Sequence, residues 1–437
     1  LSVKEIVDAI AVNTEEDPYF DPSDRMPDHQ EISRFCSSLV VVVSTESDDM
    51  LQLAHFSVKE YLTSNRVQSV LATEFQKVTA STSIAKVCLA YLLQLVHGLQ
   101  VEKVMITFPL ASYSTKFWMS YAAVGTGEED SLMGLIERFF CFSGAPYKVC
   151  YGIFNPYQPW SKHQSRLKDE EASPVYYAAL GGLRKTVKLL LEKNADVNEQ
   201  GGPFGNALQA ASIGGHEQVV KLLLEKNADV NAQGGRYGNA LLAATEGGHE
   251  KVVKLLLEKN ADVNAQGGNF GNALYAASSG GHEQLVKLLL EKNADVNAQG
   301  GHFGNALQAA SFWDHEQVVK LLLEKNADVN AQGGEYGKAL TAASFQGHER
   351  VVKLLLEHNV DINAQAGDEF KALQAASYRG HEQLVKLLLE KSADVNAQGG
   401  PFGNALQAAS SGGHEQVVKL LLEKNADVKA QGGSHGN

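Results

Sequence analysis

Seven histidines, His216, His249, His282, His315, His348, His381 and His414, follow one another at intervals of 33 residues. The twenty residues HEQVVKLLLEKNADVNAQGG occur unchanged at 216–235 and again at 315–334, with near-copies between and beyond them. A strict period of this size excludes a single globular core over that part of the chain. It predicts a solenoid, in which each unit buries its apolar faces only against its neighbours.

One unit, residues 205–237, reads GNALQAASIGGHEQVVKLLLEKNADVNAQGGRY. NALQAAS is a short helix whose small Ala210, Ala211 and Ser212 admit a second helix at close range. Gly214 and Gly215 turn the chain, and HEQVVKLLLEKN forms a second helix. Its apolar stripe (Val219, Val220, Leu222, Leu223, Leu224) is too wide for a helix covered on one side, so it lies between preceding and following units. Glu217–Lys221 and Lys221–Glu225 are i,i+4 pairs on the remaining wet face. Asn227 stands where the helix stops in a left-handed conformation, which Asn tolerates best after Gly. DVNAQGG follows as an extended arm and turn, a finger.

Helix, turn, helix and finger at this period resemble the ankyrin repeat. The matching residues are Leu208, Ala211, Gly215-His216, Val220, Leu223-Leu224 and Ala228-Asp229-Val230-Asn231, and the set recurs over about residues 172–437. The family's Thr-Pro-Leu-His is here Asn206-Ala207-Leu208-Gln209, its Gly after the second helix is Asn227, and Phe204 stands where its finger has Gly. Eight units are expected, with second helices ending at Asn194, Asn227, Asn260, Asn293, Asn326, Asn359, Ser392 and Asn425. The first is degenerate (GGLRKTVKLLLEKN), as a unit facing a different neighbour would be. The last reads like an internal unit without polar capping substitutions, so further repeats are expected to follow.

Residues 1–70 read as a helix (SVKEIVDAIAV), an acidic loop and a helix (EISRFCSSLVVVV). A strand pair around TESDD then enters a final helix, giving a small winged-helix-like unit. The core Ala54-His55-Phe56-Ser57-Val58-Lys59-Glu60-Tyr61-Leu62 resembles the segment ending the NACHT-type nucleotide-switch module of fungal STAND proteins. That resemblance implies the repeat arm of a receptor in non-self recognition or regulated cell death. Its array would contact an upstream NTPase module within the same full-length protein. Residues 71–171 read as a helical connection, with TSIAKVCLAYLLQLV and EDSLMGLIERFF as helices. No G-x-x-x-x-G-K-[ST] occurs, so no phosphate cradle is assigned and no cofactor is expected. GTGEED carries acids where a phosphate-binding Lys belongs and reads as a loop.

The formal net charge of −13 argues against a nucleic-acid groove. Residues 1–70 hold 13 Asp and Glu against 5 Lys and Arg, so −8 of it lies there, as a solvated loop or an acidic docking segment. SLVVVVS and VCLAYLLQLV are too short to span a membrane. Cys36, Cys88, Cys141 and Cys150 fit no metal or disulfide framework and read as reduced thiols of a cytoplasmic protein. The repeated histidines lie about a helix diameter apart (roughly 8–10 Å), too far to share an ion. Each is expected to hydrogen-bond at the start of its own second helix. His55 and Ser57 lack an acid or oxyanion motif, so no enzyme is read here. The finger aspartates (Asp229, Asp262, Asp295) are explained by turn hydrogen bonds. The ring before each GNAL (Phe204, Tyr237, Phe270, Phe303, Tyr336, Phe402) is expected to pack finger on finger.

The copies differ at few places. Before the Gly-His turn the variable pair reads Ile213-Gly214, Glu246-Gly247, Ser279-Gly280, Phe312-Trp313, Phe345-Gln346, Tyr378-Arg379 and Ser411-Gly412. The finger varies at Pro203, Arg236, Asn269, His302, Glu335 and Pro401. The ankyrin resemblance places these on the concave face that contacts protein partners. Surface drift would also have scattered changes over the exposed Lys and Glu, which barely move. Phe312, Phe345 and Tyr378 are expected to line up as an exposed aromatic ladder at roughly 10 Å spacing, with Trp313 and Arg379 flanking it. The reading is a protein-binding module, the sensor arm of a STAND-type receptor. Its alternative is a non-enzymatic adaptor that brings a client to other machinery.

Overall fold

A computed structural model describes residues 2–14, 40–44, 49–53, 76–95, 104, 106–124, 130–141, 147, 150, 153, 172–364, 371–400 and 402–430. The Ala54–Leu62 segment and the irregular finger at 365–370 lie outside them. The chain divides into two compact units, Leu1–Glu199 and Gln200–Asn437.

In the first unit the helix Val3–Ile10 starts with a capping box, in which Ser2 and Glu5 satisfy each other's backbone N–H groups. Asp8, near the end of that helix, is buried and accepts the hydroxyl of buried Tyr91. Val40–Ser44 and Asp49–Leu53 form an antiparallel pair with Val42 opposite Leu51. The strand pair around TESDD was expected; Val40–Val43, read as the end of the helix EISRFCSSLVVVV, is strand instead, and the rest of that expected helix lies outside the described residues. Four consecutive valines are stiff at χ1 and favour a pleated strand, and the apolar run alone did not reveal it. Lys77–Leu93 and Asp130–Cys141 match the expected helical connection, and Ala111–Val124 adds a third helix between them. Trp118 is 1% exposed and packs edge-on against Phe139 at 4.9 Å. The degenerate first helix pair, Pro174–Leu180 and Arg184–Glu192, belongs to this unit. Tyr177 meets Tyr147 at 5.7 Å, and Lys193 pairs with Glu137. This different neighbour accounts for its different sequence.

The second unit repeats one design. Asn206 Oδ1 accepts the N–H of Gln209 at 2.9 Å and caps Ala207–Ile213, and Asn239, Asn272, Asn305 and Asn404 do the same for their helices. Asn therefore fills the N-cap role that the family gives to Thr. Ala210, Ala211 and Ser212 are fully buried. The second helix, Glu217–Glu225, buries Val219, Val220, Leu222 and Leu223. It ends in a Schellman motif: Ala228 N donates to Leu223 O at 2.9 Å, around Asn227 at φ 64°. The expected stop residues all take this conformation, Ser392 included at φ 69°.

Side chains then tie each finger to its neighbours. Asp229 Oδ1 accepts the N–H of Asn231 at 2.9 Å, the turn bond expected of the aspartate. Asn231 donates to Asn260 O at 3.2 Å and accepts Asp262 N at 2.9 Å, and Asn264, Asn330, Asn363 and Asn396 repeat both bonds one unit on. Lys429 holds this place in the last unit and has no acceptor atom, so that unit does differ from the internal ones. Gln209, 1% exposed, donates to Gly234 O and Gly238 O of the next finger at 3.1 and 3.0 Å.

The histidines correct their expectation. His249 occupies the N-cap of its helix without a side-chain cap bond. Its Nε2 instead lies 2.9 Å from Ile213 O in the preceding unit, and His315, His348, His381 and His414 reach Ser279, Phe312, Phe345 and Tyr378 in the same way. A Cβ at Gly215 would come within 2.5 Å of the His249 ring, at a backbone with φ 67°. Packing and backbone conformation both require glycine at that turn.

Candidate partner-binding face

The face is built from finger tips and the last turns of the first helices. Finger rings stack on one another as expected: Phe204 on Tyr237 at 5.5 Å, and Tyr237 on Phe270 at 6.3 Å. From the fifth unit onward the ladder rings enter this stack. Phe303 lies on Phe312 at 4.3 Å, Phe312 on Tyr336 at 5.1 Å and Tyr336 on Phe345 at 5.0 Å. The Arg379 guanidinium covers Phe345 at 5.0 Å, a cation–π contact. Tyr378 stacks on Phe402 at 4.6 Å.

The expected exposed ladder is therefore corrected. Phe312 is only 9% exposed because two finger rings sandwich it, and Phe345 and Tyr378 are half-buried. Trp313 is the ring left open, at 51% exposure. It stands edge-on to Phe312 at 5.0 Å and to Phe303 at 6.2 Å, with interplanar angles of 86° and 82°. These contacts fix the indole's orientation.

The other candidates divide into two groups. In the earlier units Arg236 lies over Tyr237 at 5.7 Å. Burial pushes the Glu246 carboxyl above its ordinary range, and the nearby Arg236 opposes the shift. Tyr275 spends its hydroxyl on the Phe303 N–H at 3.1 Å. In the later units His302 pairs with Glu335, whose N–H donates to His302 O at 3.2 Å. Asn269 is exposed, Gln346 is half-buried at a helix end, and half-buried Ile213 and Ser279 supply carbonyls to the histidines of the next units.

Asp314 escaped the sequence reading. It holds the left-handed turn position (φ 61°) that Gly215, Gly248, Gly281, Gly347, Gly380 and Gly413 hold elsewhere. Its Oδ1 lies 3.7 Å from His348 Nδ1. Aligning the copies would have revealed it, because it sits directly beside Trp313.

Among the described residues no helix is long and apolar enough to cross a membrane. Cys88 and Cys150 are buried free thiols, and burial pushes Cys88 up to about 11, which makes it a poor nucleophile.

Known proteins repeat this architecture. A family model described as ankyrin repeats (3 copies) matches residues 175–267, 266–333 and 339–432. The azaphilone pigments biosynthesis cluster protein L of Monascus ruber is 37% identical over 231 residues, 48% of this chain and 49% of that protein. The chain thus spans about half the length of that curated relative. The crystal structure of the human ASB11 ankyrin repeat domain is similar with a TM-score of 0.46 and 26% identity, covering 51% of this chain and 99% of that one. With more than half of its length matched by the family's repeats, the chain belongs to the ankyrin-repeat family.

Proposed function

We propose that the array binds a protein partner through the finger and first-helix face of its fifth to seventh units, as the sensing arm of a larger NACHT-type switch protein. Repeats of this family are protein–protein interaction modules. The observation that carries the reading is Trp313, an exposed ring where Gly214, Gly247, Gly280 and Gly412 serve the same frame. A residue that the frame does not need, held rigid in the open, is the composition of an interface hot spot. Ala54–Leu62, with its resemblance to the end of a NACHT module, supports the receptor assignment, as does the strand pair leading into it. In this reading the chain is cytoplasmic, performs no catalysis itself and takes neither nucleic acid nor cofactor.

A second reading, an adaptor serving other machinery, is favoured by the relative named for a pigment biosynthesis cluster. One experiment addresses both. Affinity capture compares the full chain with Trp313→Gly and with Lys251→Ala on an outer helix, read by quantitative mass spectrometry. The proposed face predicts a partner lost with Trp313→Gly and kept with Lys251→Ala. A captured STAND-type NTPase supports the receptor, and a captured biosynthetic enzyme supports the adaptor. Equal capture by all three chains overturns the face.

A further inference from the structure

Two adjacent residues of the fifth unit go against the frame. At the place of Trp313 four other units carry glycine (Gly214, Gly247, Gly280 and Gly412) and two carry the polar Gln346 and Arg379. A Cβ at Gly214, Gly247 or Gly280 would lie 2.5 to 2.6 Å from the following histidine ring. At the place of Asp314 a left-handed backbone disfavours any side chain, Asp less than most. A side chain kept in this conformation at one turn, where the equivalent turns use glycine, points to a role outside folding. The pair presents an indole 51% exposed and a carboxylate side chain 55% exposed, next to one another in the chain.

Their surroundings select the ligand. The apolar rings beneath are already covered, since Phe312 is sandwiched between Phe303 and Tyr336. A deep apolar anchor therefore finds no slot here, and what remains is the half-exposed indole of Trp313 and the exposed carboxylate that follows it in the chain. The nearby arginines are engaged elsewhere, Arg379 over Phe345 and Arg350 with Glu316 at 3.9 Å, and the His348 ring lies 3.7 Å from one oxygen of Asp314. Glu335 on the adjoining finger, 51% exposed, is a second carboxylate, already paired with His302. A planar cation fits such a site: indole is the best aromatic partner for a cation, and a carboxylate takes guanidinium in a two-bond fork.

We propose that Trp313 and Asp314 form the docking point for an arginine side chain on an exposed segment of the partner protein. The guanidinium stacks on the indole and hydrogen-bonds to the Asp314 carboxylate. This rests on the proposed face and names the chemistry it reads.

The test selects binders from a displayed random-peptide library on the full chain. Trp313→Gly and Asp314→Gly serve as counter-targets, because each restores the residue other units already use. The expected result is peptides sharing an arginine, each losing at least tenfold in affinity on either variant and on replacement of that arginine by citrulline. Peptides that depend on Trp313 but share no arginine overturn this inference and leave the face intact. Peptides indifferent to both variants, or no binders beyond those of the variants, overturn the inference, and the capture experiment then decides the face separately.

Discussion

His348 Nε2 lies 2.9 Å from the carbonyl oxygen of Phe312 in the preceding unit. The repeated histidine thus fastens the backbone under the most variable position of the face to the invariant start of the next helix. Recognition residues can change because their main chain is held from outside. His348→Ala is expected to cost about 1 kcal/mol, the usual value of one hydrogen bond, and to loosen only its own joint. Hydrogen exchange of the Phe312–His315 turn, compared with the Ile213–His216 turn, checks this.

The same histidines make stability depend on pH. Burial holds His282 and His381 below the ordinary 6.5, and their histidine neighbours act in the same direction. The folded state therefore binds fewer protons than the unfolded state between the folded value and 6.5. Their contribution is complete above 6.5 and is lost as pH falls from there through the folded value. Denaturation midpoints should drop between pH 7.5 and 5.5, and His381→Gln should reduce the drop. A midpoint flat over that interval contradicts the assignment.

Ser392 is the one stop residue that is not Asn, and it sits at φ 69° against 58° to 65° for the asparagines. The left-handed conformation costs roughly 1–2 kcal/mol for most residues and less for Asn. Ser392→Asn should stabilise by about 0.5–1 kcal/mol in urea denaturation and slow amide exchange around residues 391–394.

Asn264 donates to Asn293 O at 3.2 Å and accepts Asp295 N at 2.8 Å. Asn264→Ala removes both links of one finger joint. Because the site is exposed and water can replace them, the expected loss is about 1 kcal/mol. Asn264→Lys, which imitates Lys429, should cost the same, since Lys cannot accept the Asp295 N–H. A calorimetric melt of each variant measures both.

The frame was legible in the sequence because its causes are local. The period, the capping Asn206, the glycine turn and the stop at Asn227 each act within a few residues of themselves. The links between units were not legible from one unit, because Asn231 and His249 find their partners 29 to 36 residues away. The strand Val40–Ser44 was hidden for another reason, since a short apolar run carries no period that separates strand from helix. Phe312 was misread because its burial depends on rings of two fingers, whose packing no single copy displays. Trp313 shares its departure from glycine with Gln346 and Arg379, whereas Asp314 is the single side chain among the seven turn positions that follow.

Folding and recognition should separate at the neighbours Phe312 and Trp313. Phe312 is 9% exposed between Phe303 and Tyr336, so Phe312→Ser opens a hole in the ring stack. Truncation of a buried Phe costs roughly 3 kcal/mol or more, and its solvent-reachable edge places this site at the lower end. Trp313 is half in water and stands where the frame accepts glycine, so Trp313→Gly should move stability by no more than about 0.5 kcal/mol. Replacing Phe312, Phe345 and Tyr378 together with Ser would therefore melt the later units, and a loss of binding in that triple variant would say nothing about contact. The single substitutions are informative. Phe312→Ser should lower the melting temperature, and Trp313→Gly should keep it while weakening the partner at least tenfold, about 1.4 kcal/mol. If Trp313→Gly instead lowers the melting temperature as much as Phe312→Ser, the indole belongs to the stack and the recognition surface lies elsewhere.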